Sequence, residues 1–211
     1  AALGCRAAIN ARQSISHTSG AGTCAPSVSQ LKREATVSVD HLSYSAISTY
    51  LLCPRGYRFH YLDKAPSMPS PALVFGSAWH KALEALITGA ATDPVGAWNE
   101  AFMAQTANES AKIAWGAESP EDYQEQGARI IARPDVLKTV QSMTPYADDK
   151  GPFVERFVKL QVPGVDIPVI GYVDVMTSDM VPWDIKTSAR AWTPDKLTSE
   201  TQPLFYIAAL N

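Results

Sequence analysis

Apolar residues recur at helical spacing through the first part of the chain and switch to strand-like alternation near Phe153. The first helical run opens at Leu42, where Ser43 is placed to cap a helix of about 10 residues carrying Ile47, Tyr50, Leu51 and Leu52, closed by Cys53-Pro54. After a loop rich in Pro and Ser, the stretch from Ala72 to Thr88 sets Ala78, Ala82, Leu83, Leu86 and Ile87 on one face and stops at Gly89, which predicts a second helix. Asp93-Pro94 and Ser119-Pro120-Glu121-Asp122 place a capping side chain before a proline, and two or three scaffold helices are expected between Asp93 and Tyr146. From there the period is two. Phe153 to Val162, Val169 to Met176 and Val181 to Ile185 are rich in β-branched and aromatic residues and are broken by Pro163-Gly164 and Thr177-Ser178-Asp179, so a three-strand antiparallel meander is expected. Ser199 and Gln202 have the spacing of a capping box, which predicts a last helix running through Tyr206.

Residues 1 to 38 stand apart from this pattern. They are rich in Ala, Ser, Gly and Thr, with no acidic residue before Glu34, and such a composition does not build a core. They read as a disordered or non-native tail in preference to an Arg- and Ser-rich organellar transit peptide, leaving 39–211 as one domain. The chain begins at Ala1, not Met, which reads as a processed product or a fragment.

A length of 211 residues suits one compact domain and is short for two. No apolar run approaches the roughly 20 residues of a membrane span, so a soluble body in the cytoplasm is expected, with organellar targeting as the alternative. A formal net charge of −3 argues against gripping nucleic acid by bulk electrostatics alone. It leaves metal-dependent nucleases open, because they gather carboxylates whose sign a bound cation reverses. The three cysteines, Cys5, Cys24 and Cys53, form no CxxC pair and no disulfide scaffold.

The chemistry is concentrated on the expected second and third strands. Asp174 lies in Gly171-Tyr172-Val173-Asp174, and Asp184 and Lys186 lie in Trp183-Asp184-Ile185-Lys186. Strand alternation projects Asp184 and Lys186 from one face with Ile185 behind them, and a hairpin brings Asp174 toward Asp184. Neighbouring carboxylates repel unless a divalent cation lies between them, and Mg²⁺ or Mn²⁺, which prefer hard oxygen ligands, fit that need. Taken alone, an Asp at a strand end is usually a turn former and Asp-x-Lys recurs by chance.

Five segments in order change that weighting: Leu42-Ser43-Tyr44-Ser45 with Tyr50, Cys53-Pro54 and Tyr57; Gly76-Ser77-Ala78-Trp79-His80; Glu155; the two strand motifs through Thr187-Ser188; and Gln202-Pro203-Leu204-Phe205-Tyr206. Together they resemble the RecB-like branch of the PD-(D/E)xK nuclease superfamily, which includes RecB and AddB nuclease domains and CRISPR-adaptation nucleases. The resemblance implies an α/β, restriction-endonuclease-like core: N-terminal helices, the meander within a mixed sheet and a C-terminal helix. It also implies a further strand and helix beyond Asn211, without which a sheet edge stays open.

By the same resemblance the metal ligands would be His80, Asp174, Asp184 and the backbone carbonyl of Ile185. Lys186 would be catalytic, and Gln202 and Tyr206 would share one helix face near DNA or the lysine, with Glu155 the weakest member. Tyr206 has simple core packing as its plain alternative, and Glu155 has surface pairing with Arg156 and Lys159. Proline at 203 requires Gln202 to lie in the first turn or at a distortion. In some relatives a cysteine at the place of Cys53 joins three others past the last helix around a 4Fe-4S cluster. Such a cluster would need cysteines beyond the C-terminus, and otherwise Cys53 reads as a buried structural thiol.

The function implied is metal-dependent hydrolysis of DNA, by an exonuclease on single strands or ends, in repair, recombination or phage and CRISPR processing, with a helicase or recombination complex as partner. Arg55, Arg58, Lys64 and Arg190 are candidate phosphate contacts. The rivals are an inactive DNA-binding or scaffolding module of a helicase complex and a metal hydrolase with a non-nucleic substrate. His17, His41 and His60 read as ordinary surface or core histidines.

Overall fold

A computed structural model describes residues 39–107, 113–188, 193, 195 and 200–210. The N-terminal tail, His17, Cys5, Cys24, Arg190 and the Ser199 cap lie outside the described residues. All described residues fall in one unit, Val37–Asn211.

Helix starts follow the capping residues. Ser43 caps α1 (Tyr44–Leu52), its hydroxyl accepting from the Ala46 amide at 3.1 Å. Cys53 ends that helix and caps a short α2 (Pro54–Tyr57), which runs into a π-helical turn at Arg58–Leu62. The Cys53 thiol is exposed and accepts from the Gly56 amide at 3.3 Å, so the expectation of a buried thiol is wrong. Its sulfur instead caps the helix that follows.

Ser70 caps α3 (Pro71–Ile87), Asp93 caps α4 (Pro94–Thr106), and Ser119 with Asp122 forms a full capping box on α5 (Pro120–Ile131). Each of these has proline in its first turn, as does α6 (Pro134–Ser142). Among the described residues, three helices, α4 to α6, occupy the segment where two or three are expected. Helices α3 to α6 build one core around Trp79, Leu83, Trp98, Phe102 and Ile131. Trp98 is fully buried and its indole N–H donates to the Gln124 carbonyl at 2.8 Å.

The sheet is mixed. β4 (Val154–Leu160) and β6 (Pro182–Trp183) pair antiparallel with opposite edges of β5 (Val169–Met176), and β1 (Leu42–Ser43) pairs parallel with the start of β5. A small hairpin of β2 (Ala147–Asp148) and β3 (Gly151–Pro152) precedes β4. The third strand of the meander is shorter than the Val181–Ile185 expected and ends before Asp184. The two-residue β1 carries no period of its own and exists only because β5 offers it an edge.

One face of the sheet forms a second core, in which Val158, Val169 and Val173 meet Phe205 and Tyr206 of α7 (Gln202–Leu210), with Ile47 of α1 packed against it. Gly171 lets α7 approach, since a Cβ there would lie 2.8 Å from the Phe205 ring. Gln202 is the first residue of α7, the place that Pro203 allows it. Of the apolar residues of α1, Tyr50, Leu51 and Leu52 are exposed, so its helical period overstates its buried face.

Candidate active site

The helical core and the sheet meet where α3 crosses the Asp174 end of β5. Gly76 of α3 faces the segment after β6, where a Cβ would stand 3.4 Å from Thr187 Oγ1, an ordinary contact. One turn further along α3, His80 Nδ1 lies 2.9 Å from Glu155 Oε1 and 3.6 Å from Asp174 Oδ1. Ligand atoms of His80, Glu155 and Asp174 all stand within 4.8 Å of one another.

Glu155 reaches this cluster through an irregular strand. The β4–β5 register runs Val154 to Val175 and Arg156 to Val173, so Glu155 faces Asp174, but its φ of 47° puts it in the left-handed region. Arg156 fastens the chain on one side. Its guanidinium donates to both Asp148 oxygens, at 3.0 and 3.1 Å, and to the carbonyls of Gly151 and Pro152, and it lies over the Phe153 ring. Arg156 thus pairs with Asp148 and Glu155 with His80, in place of the surface pairing that stood as the plain alternative for Glu155.

Asp184 lies one rung past the β5–β6 pairs of Val175 with Trp183 and Met176 with Pro182, opposite Asp174. The Ile185 amide donates to Asp174 Oδ2, while the Ile185 side chain packs into the helical core. Asp184 is outside the three-residue cluster. Its Oδ1 takes the Lys186 ammonium at 3.0 Å and the Tyr206 hydroxyl at 3.2 Å, and the Gln202 amide in turn donates to the Tyr206 oxygen at 2.5 Å. Tyr206 therefore does two things: its ring is in the core and its hydroxyl orients an acid.

Electrostatics match this crowding. Burial pushes the Asp174 carboxyl up to about 6, against the Ile185 amide and His80, with the charges of Asp184 and Glu155 adding to the rise. The hydrogen bond to Glu155 raises His80 above its ordinary value, opposed by burial. Burial and then the Asp184 charge raise the Tyr206 phenol.

Glu200 is a residue that sequence reasoning missed. It accepts from the Tyr44 hydroxyl, which holds its carboxyl below the usual range with help from Lys186, and it shares a concavity with Asp184 and Lys186. The only signal was its position two residues before Gln202. Tyr44 belonged to a matched motif without an assigned role.

The cluster opens on a cleft of about 530 Å³ lined by Gly76, His80, Lys81, Gln105 and Glu155. A second hollow of about 470 Å³ runs from Phe75, Trp79 and Tyr123 to Lys186 and Thr187. The basic candidates lie elsewhere: Arg55 stacks on Phe59 and Arg58 pairs with Asp63 at 3.3 Å, both around the π-helical turn, where His60 and Lys64 are also exposed.

The donor set suits a hard divalent cation. Two carboxylates and one imidazole converge, and ligands about 2.1 Å from a Mg²⁺ ion stand roughly 3 to 4 Å apart in an octahedron. Asp174 is raised chiefly by burial, and the nearby Asp184 and Glu155 charges add to the rise. A family model described as PD-(D/E)XK nuclease superfamily matches residues 41–211. No curated protein and no solved structure matches the chain.

Proposed function

The chain belongs to the PD-(D/E)XK nuclease superfamily, and from that premise we propose that it hydrolyses the phosphodiester backbone of DNA with a divalent cation held by His80, Glu155 and Asp174. The convergence of those three side chains beside the Asp184–Lys186 pair is the observation that carries this reading. Bound there, Mg²⁺ or Mn²⁺ supplies Lewis-acid activation of water and neutralises charge at phosphorus.

The chain's own residues supply position and charge. Lys186 sets an ammonium beside the cluster, where it can meet a phosphate oxygen or hold the attacking water. Asp184 fixes that ammonium and is itself fixed by Tyr206 and Gln202. Asp184 serves as the partner of Lys186, and by the resemblance it and the Ile185 carbonyl would be further ligands of the ion. The RecB-like resemblance supports an exonuclease on single strands or ends, within DNA repair, recombination or phage and CRISPR processing and beside a helicase. A 4Fe-4S cluster needs four ligands, and Cys53 is the one cysteine among the described residues.

Incubation with end-labelled single- and double-stranded DNA tests the proposal. Cutting should require Mg²⁺ or Mn²⁺, stop with chelator and vanish in Asp174→Ala. Cutting that survives chelation or that substitution contradicts it, and DNA binding by the intact protein without any cutting favours the non-catalytic module.

A further inference from the structure

Among the described residues, the face of the sheet opposite α7 is only partly covered. α3 lies over its Glu155–Asp174 end, and the next rung along the same face is Phe157 opposite Tyr172, 49% and 56% exposed, with ring centroids 5.7 Å apart and planes at 70°. Exposed Lys159, opposite Ile170, follows on the rung after that. Alternation puts Glu155, Phe157 and Lys159 on one side of β4, and Asp174, Tyr172 and Ile170 on the same side of β5. A solvent-facing sheet normally carries polar residues at such positions. Here two bare aromatic rings stand about 7 Å, two strand residues, from the metal-binding carboxylates.

We infer that Phe157 and Tyr172 are a stacking platform for unpaired bases of the strand being cut, with Lys159 meeting a phosphate further along; this rests on the nuclease reading above. The occupant follows from the order of groups on the face: cation-binding acids, then aromatic rings, then an ammonium. A single strand offers that sequence of chemistries, a phosphate at the ion, a base face and another phosphate, whereas a duplex keeps its base faces stacked inside. The platform thus makes the site selective for single-stranded over double-stranded DNA. It also uses the edge-on arrangement of the two rings, which leaves the face of one and the rim of the other to a base.

The test compares the whole chain with Tyr172→Ala, Phe157→Ala, the double variant and the conservative Tyr172→Trp. Circular dichroism melts verify folding, and anisotropy of a labelled oligonucleotide in chelator reads binding apart from cutting. Each ring removed should weaken single-strand binding roughly 5- to 150-fold, the stacking worth of one base. The loss should appear in KM when cutting is measured, and Tyr172→Trp should restore it. An oligonucleotide of abasic residues should bind the unaltered protein as weakly as ordinary DNA binds the double variant. Equal weakening for single strand and duplex, or none for either, overturns the platform. So does a change from dimer to monomer by light scattering in the double variant with DNA affinity intact, which would make this face a protein interface. Ring-dependent binding without cutting would sink the nuclease reading and leave the platform standing; cutting of single strands that ignores both rings would do the reverse.

Discussion

Glu155 holds a left-handed backbone conformation inside an otherwise extended strand, and a non-glycine residue there costs on the order of 1–3 kcal/mol. The Arg156 clamp on Asp148 and the β2–β3 hairpin, and the register of β4 on either side, hold it in place. The reward is a carboxylate turned toward His80 and Asp174. Their titration gives a signed prediction for the metal-free protein. A carboxyl raised to about 6 favours the fold while protonated, so its contribution is complete below the ordinary aspartate value near 4 and is lost as pH climbs through about 6. His80, also raised, has the same sign, contributing below its ordinary value and losing that contribution as pH rises through its folded value. Protons and cations compete for these groups, so Mg²⁺ or Mn²⁺ should raise the melting temperature more at pH 7.5 than at pH 5. Equal shifts at the two pH values in thermal melts would refute the assignment. The Tyr206 hydroxyl acts through Asp184, and Tyr206→Phe should lower cleavage about 10- to 100-fold, as loss of an outer-shell partner does, with little change in melting temperature. Full activity in that variant would reduce Tyr206 to packing.

The elements carry the site by rigid contacts. α3 is seated on α4 and α5 through Phe75, Trp79 and Trp98, and α5 passes Trp98 at Gly127, where a Cβ would come within 2.1 Å of the indole. Gly127→Ala should therefore destabilise the fold by about 1–3 kcal/mol through overpacking, read as a fall in denaturant midpoint. An unchanged midpoint would mean that α4 and α5 part without cost. Much of this scaffold was legible because its signals are local: Ser43, Asp93 and Ser119 cap helices where they stand before prolines or apolar runs, and β4 and β5 show their period. What was not legible depends on distant partners. β1 needs the edge of β5, the π-helical turn follows no period, and the exposure of Leu51 and Leu52 reflects what happens not to pack on them. Within the site, strand spacing set Asp184 and Lys186 on one face with Asp174 near them, whereas singling them out, like His80, took the ordered motifs. Glu155 entered as the weakest member of the resemblance, and although alternation sets it opposite Asp174, nothing in the sequence showed its left-handed backbone or its contact with His80.

At the scale of the molecule, α3 of the helical core lies against the sheet on the face away from the α7 core, and the acidic cluster sits at that contact. Burial on both sides makes the Asp174 position dry enough to raise its carboxyl, and the clefts beside it leave the cluster open to a substrate. The net charge of −3 is then consistent with a protein that meets a polyanion locally, through an ion, a lysine and aromatic surface, without a basic exterior. His80, Glu155 and Asp174 are proposed to share one divalent ion. Anomalous diffraction from crystals grown with Mn²⁺ should show a peak bonded to the His80 imidazole and to the Glu155 and Asp174 carboxylates, and a peak that leaves out His80 and Glu155, or lies elsewhere on the protein, would refute the shared site.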